Sequence, residues 1–179
     1  MLINILLVVF ALAVVFFIVV SSRPADFRVS RSASFAAPPA IVFPHVNDLH
    51  KWQEWSPWAK IDLECKYTYE GPVAGVGASF SWAGNSKVGQ GRMTIMESRP
   101  NDLIRIKLEF LKPFKATNTA EWTFRNEGTS TVVTWAMTGK NNFVFKAISL
   151  FMDCEKMVGP QFEQGLADLK KIVEAEAKA

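Results

Sequence analysis

The sequence predicts an α+β protein: a curved antiparallel sheet of about seven strands wrapped on a long C-terminal helix, with a transmembrane helix in front. Three observations predict it. Leu2 to Val20 is unbroken apolar sequence apart from Asn4. From Leu63 to Thr138 the apolar residues alternate with polar ones, and glycine and proline turns divide the run. Phe162, Leu166, Leu169, Ile172 and Val173 then recur at helical spacing.

The N-terminal run comes first. As a helix it rises about 28 Å, close to the hydrocarbon thickness of a bilayer. A helix this apolar on every side needs either lipid or a large protein around it, and the rest of the chain is one small domain. A cleaved signal peptide would carry a basic start and a small-x-small cleavage site. No Lys or Arg precedes the run, and Val19 and Val20 stand before Ser21 and Ser22. The expected organisation is therefore a membrane anchor over residues 1–22 and a folded domain over 23–179. Arg23, Arg28 and Arg31 follow the anchor, so basic-side retention predicts a single-pass protein with a cytoplasmic domain.

Net charge is +3 with both signs interspersed, which gives no nucleic-acid footprint. Cys65 and Cys154 are far apart, without ligand spacing, and are expected as buried thiols. His45 and His50 are the only histidines, and no acidic cluster completes a metal set with them. They are expected at the surface or at caps. No metal, cofactor or nucleic acid is expected, and the chain is expected to be monomeric.

Phe27 to Phe35 alternates and reads as a strand, with Phe27, Val29 and Arg31 on one face. Pro38 and Pro39 then open a short helix over Ala40 to Val46, because a proline in the first turn loses no hydrogen bond. Leu49 to Trp55 is a second short helix or turn, closed by Ser56-Pro57-Trp58. Strands follow at Leu63 to Glu70, Ala78 to Ala83, Gly89 to Ser98, Leu103 to Leu111, Lys115 to Phe124 and Thr129 to Thr138. Short turns between them make an antiparallel meander. Asn141 to Met152 is expected as a short helix. Gly159-Pro160 looks like an interruption before the final helix of about five or six turns.

The order and several segments resemble the START/Bet v 1-like superfamily, and within it the polyketide cyclase/dehydrase-like (SRPBCC) proteins. The matching segments include Ala37 to Phe43, Asp48 to Trp58, Tyr69-Glu70-Gly71, Gly75-Val76-Gly77, Trp82 to Asn85, Val88 to Gly91, Met93-Thr94-Ile95 and Gly159 to Lys170. The resemblance spans about Phe27 to Ala177. It implies a helix-grip fold with a cavity between sheet and long helix. Members bind lipids, sterols, polyketides or other apolar ligands, and some are cyclases.

The candidate ligand-binding residues are aromatic and apolar. Trp52, Trp55 and Trp58 recur every third residue and either roof a cavity mouth or plug the end of the sheet. Phe80, Trp82, Phe110, Trp122 and Trp135 are expected on the inner sheet face, opposite Met152, Phe162, Leu166 and Leu169. Tyr67 and Tyr69 offer hydroxyls, and Glu70 ends a strand beside a glycine loop. No catalytic pair is evident. Gly75-Val76-Gly77 and Gly89-Gln90-Gly91 lie among antiparallel strands rather than before a crossover helix, which disfavours phosphate binding.

The expected function is a membrane-anchored domain that binds a lipid or polyketide-like molecule. A cyclase/dehydrase-like enzyme acting on an aromatic or polyketide substrate is the alternative. A protein-interaction domain, like chaperone co-factors of the same fold, is a third reading.

Overall fold

The computed structural model describes residues 1–178. Helix α1 runs Leu2–Ser22 with a mean hydropathy of 3.3 over its best window. Only Val20 is buried, so the helix leaves the domain as a bare apolar rod. It is long and apolar enough to cross a membrane. Strand β1 (Asp26–Phe35) follows, then α2 (Pro39–Asn47) and α3 (Trp52–Trp55), each followed by a 3-10 turn. Strands β2 (Lys66–Glu70), β3 (Ser79–Ala83), β4 (Gln90–Arg99), β5 (Leu103–Lys112), β6 (Ala116–Glu127) and β7 (Ser130–Lys140) form the meander. Helix α4 (Phe143–Ile148) leads to the long α5 (Cys154–Glu176).

The seven strands pair antiparallel in the order β1-β7-β6-β5-β4-β3-β2. Sequence neighbours pair because short turns allow it, and β1 closes onto β7 at the far edge. Register irregularities in β4, at Gln90/Gly91 and Ile95/Glu97, bend the sheet. Its concave face wraps α5, which packs chiefly on β1 and buries Phe162, Leu166, Leu169 and Val173. This is the α+β helix-grip arrangement that the alternation and the final apolar stripe imply.

Two local details differ from the sequence expectation. The strand expected from Leu63 begins only at Lys66, and Leu63 is exposed in a turn. Helix α5 begins before Gly159-Pro160 and runs through it, because Asp153 accepts from the Glu155 amide and caps a helix six residues upstream of Gly159. Pro160 is exposed, so the carbonyl it leaves unpaired faces water. Gly159 has a separate reason. A Cβ there would lie 2.1 Å from Arg31 Nη2, so its absence lets the Arg31 guanidinium lie against α5 and pair with Glu155 and Glu163.

His45 is a further correction. It is 4% exposed in α2, not on the surface; Nε2 lies 2.8 Å from Glu176 Oε2, and its carbonyl accepts from the Trp55 indole. His50 is exposed and stacks on Tyr69. Cys65 is buried, while Cys154 is only half-buried; both thiols are free.

Candidate functional site

The concave face carries an aromatic floor. Trp122 and Trp135 are cross-strand partners in β6 and β7, so their rings stack at 4.4 Å. Phe162 of α5 lies flat on Trp135 at 3.9 Å. Trp52 and Trp55 pack edge-on against both sheet tryptophans. Their own indole N–H groups donate to the Val46 and His45 carbonyls. The end of the grip beneath α2 and α3 is therefore solid.

Beyond that plug the sheet and α5 diverge around a cavity of about 340 Å³. That lies within the range of small-molecule pockets. Phe80, Trp82, Met93, Leu108 and Phe110 supply the curved wall, and Trp58, Trp135 and Phe162 close the inner end. Val158 of α5 covers the cavity. The exposed turns Ser86-Lys87 and Lys112-Pro113 form its rim. Gly91 has a specific part in the wall. A Cβ there would lie 2.2 Å from the Trp82 ring, so glycine lets that indole lie across β4 and edge onto Phe110.

Of the residues singled out in the sequence, Trp52, Trp58, Tyr67, Phe80, Trp82, Phe110, Trp135 and Phe162 border this cavity. Trp55, Trp122 and Leu166 lie behind its wall in the packed core. Tyr69 is half-buried against His50 and accepts a hydrogen bond from Gln53 at 3.4 Å, beside the cavity rather than on it. Glu70 occupies the opposite sheet face, because Tyr67 and Tyr69 take the inner positions of β2. There it pairs with Arg92 at 2.7 Å. Met152 lies in the segment before α5, half-exposed in a separate groove. Sequence reasoning did not single out Ala120, Leu108, Met137 or Val158 as binding residues, nor the two rim turns. The first three stand in alternating strands, where inner position was the available signal; nothing marked the turns.

Polar groups on the cavity are few. Tyr67 is the one phenol, and burial, reinforced by the neighbouring Cys65 thiol, pushes its pKa well above the usual range. It remains a protonated donor at neutral pH. The indole N–H of Trp135 is buried without a partner among the described residues, as is that of Trp122. No group of three or more His, Cys, Asp or Glu suited to a metal occurs among the described residues.

Comparison with known proteins places this geometry. The fold is shared with protein CV1439 from Chromobacterium violaceum, at 16% identity over 85% of this chain and 99% of that one, TM-score 0.59. It is shared with Aha1 from Colwellia psychrerythraea, at 11% identity over 83% and 96%, TM-score 0.58. It is also shared with the di-domain ARO/CYC BexL from the BE-7585A biosynthetic pathway, at 17% identity over 90% of this chain but 53% of that one, TM-score 0.62. No curated protein matches the sequence. Residues 26–174 match the family described as polyketide cyclase / dehydrase and lipid transport, which spans β1 to nearly the end of α5, and the chain belongs to that family.

Proposed function

We propose that this protein is a membrane-anchored receptacle for an apolar molecule, a lipid or a polyketide-like compound, held between the sheet and α5. The cavity of about 340 Å³ with its aromatic wall carries the reading. Burying apolar ligand surface there contributes about 25 cal/mol per Å² before ordering costs. Anchoring by α1 confines the cavity near the bilayer and raises the effective concentration of ligands dissolved there. Arg23, Arg28 and Arg31 support a cytoplasmic position for the domain. Native mass spectrometry of the detergent-extracted full chain tests the reading. A co-purifying apolar mass is expected; no bound mass after exposure to membrane lipids would overturn it.

Catalysis is the second reading, and the comparisons support it more directly than they support simple carriage. BexL and the di-domain ARO/CYC StfQ from the steffimycin pathway both reach a TM-score of 0.62 with this chain. In a cyclisation, a methylene carbon loses a proton and bonds to a carbonyl carbon, whose oxygen takes up a proton; dehydration then releases water. Tyr67, the phenol bordering the cavity, would hydrogen-bond that carbonyl oxygen, and its raised pKa suits it to holding the oxygen in place and not to giving up its proton. Tyr67→Phe should abolish turnover of an oligoketide thioester probe while leaving its binding intact. Unchanged turnover would remove Tyr67 from the chemistry.

A further inference from the structure

The membrane helix does not simply trail from the domain. Phe17 of α1 lies 5.1 Å from Phe143 of α4, ring to ring. Lys146 of α4 reaches to 3.5 Å from the Ser21 carbonyl at the end of α1. Only Arg23 to Ala25 separate α1 from β1. Helix α4 is Phe-Val-Phe-Lys-Ala-Ile, yet none of its residues is buried. Its Phe145 meets Phe114, in the β5–β6 turn, edge-on at 6.1 Å. Phe114, Leu111, Phe151, Met152 and Met157 are each about half exposed or more. Aromatic contacts thus link the anchor to α4 at Phe143, and α4 to the β5–β6 turn at Phe145. The same turn carries Lys112 and Pro113 of the cavity rim, and Met157 precedes the cavity-lining Val158.

Phe17 fixes the depth of this surface. It precedes Val20 by three residues, about 4.5 Å along the helix. A side chain packed on it is carried to the boundary of headgroups and acyl chains when α1 spans a bilayer. A groove of about 540 Å³ at the same end is lined by Arg23, Arg28 and Lys156 beside Phe151 and Met152. Its acids are engaged elsewhere: Asp153 caps α5, and Glu155 pairs with Arg31. Cations over an apolar ledge match an anionic leaflet.

We propose that α4, the β5–β6 turn and the segment before α5 form a seat in the leaflet from which α1 emerges, holding the cavity rim at headgroup level. The seat rests on reading α1 as a bilayer anchor. It deepens the proposed function by making the bilayer the source of the ligand. The test uses the full chain in nanodiscs of equal parts phosphatidylcholine and phosphatidylglycerol. Cys65→Ala and Cys154→Ala supply the background, and native tryptophan emission checks the fold. Nitroxide labels are placed through Phe114→Cys, Phe151→Cys and, as a repeat, Leu111→Cys. A label through Glu127→Cys serves as reference, at the other end of β6 and about 36 Å away by strand rise. Labels at 111, 114 and 151 should show an oxygen-to-nickel-chelate collision ratio several-fold above that at 127. Equal ratios at all positions, or protection from both reagents with spin–spin coupling between copies, would overturn the seat. So would failure of the chain to enter the discs. None of these readouts involves a ligand, so an empty cavity leaves the seat standing.

Discussion

Ala120→Leu asks whether the cavity is room for a ligand or merely a loosely drawn core. Ala120 lies on the inner face of β6 between Ile106 and Met137, is 4% exposed and borders the cavity. Leucine adds three carbons pointing into the vacant volume. At about 0.8 kcal/mol per buried methylene this contributes up to about 2.4 kcal/mol. Fixing the new side chain costs about 0.5–1 kcal/mol. The free protein should therefore gain about 1.5 kcal/mol, a rise in Tm of roughly 3–6 °C for a domain of this size. The same atoms occupy ligand space, so affinity for an apolar fluorescent probe should fall at least about tenfold, or about 1.4 kcal/mol. Differential scanning fluorimetry and probe titration of the full chain in one detergent read both. A drop in Tm with unchanged probe affinity would refute the reasoning, since overpacking of a filled core costs about 1–3 kcal/mol and leaves no pocket to block.

Trp135→Phe removes a buried indole N–H that has no partner among the described residues, so a melt should show a loss smaller than the roughly 3–5 kcal/mol of truncating a buried aromatic to alanine. Gly159→Ala gains about 1 kcal/mol of helix propensity, and its Cβ displaces only the flexible end of Arg31, so Tm should hold or rise by about 2–4 °C; adding Arg31→Ala should leave that gain in place. Asp168 is held below the usual carboxylate range by hydrogen bonds from Lys60 first and Lys171 second. A depressed folded-state pKa gives stability that is present above the unfolded value of about 3.9 and lost as pH falls below it. Denaturant titrations should show Asp168→Asn to be less sensitive than the parent to acidification through that window.

The sheet was legible because period-two alternation survives wherever one face is buried. Ile104, Ile106, Ala120, Trp122, Phe124, Val133 and Trp135 all take the inner positions that their spacing assigns. Alternation also assigns Glu70 outward once Tyr67 and Tyr69 are inward, so its place opposite the cavity follows from the same rule. What periodicity does not carry is depth. Trp55, Trp122 and Leu166 share composition and face with Trp58, Trp135 and Phe162, yet the first three lie behind the wall and the second three form it. The difference lies in where the sheet and α5 leave room, which no single residue type marks. Gly159-Pro160 drew the expected boundary of α5 downstream of Asp153, whose capping role the structure shows.

The positions of solid and open interior relate the aromatic content to the anchor. Four of the tryptophans, Trp52, Trp55, Trp122 and Trp135, crowd the level beneath α2 and α3, where their edge-on and stacked contacts fill space and each contributes packing beyond its area. That plug leaves the remaining room under the β2–β5 wall and the first turns of α5. The rim there includes Lys112-Pro113, one residue from Phe114, and Phe114 leads through Phe145 and Phe143 to Phe17 of the anchor. In the proposed seat, a molecule leaving the leaflet beside α1 would meet these side chains on its way to the cavity rim, while the packed tryptophans fill the other end of the grip.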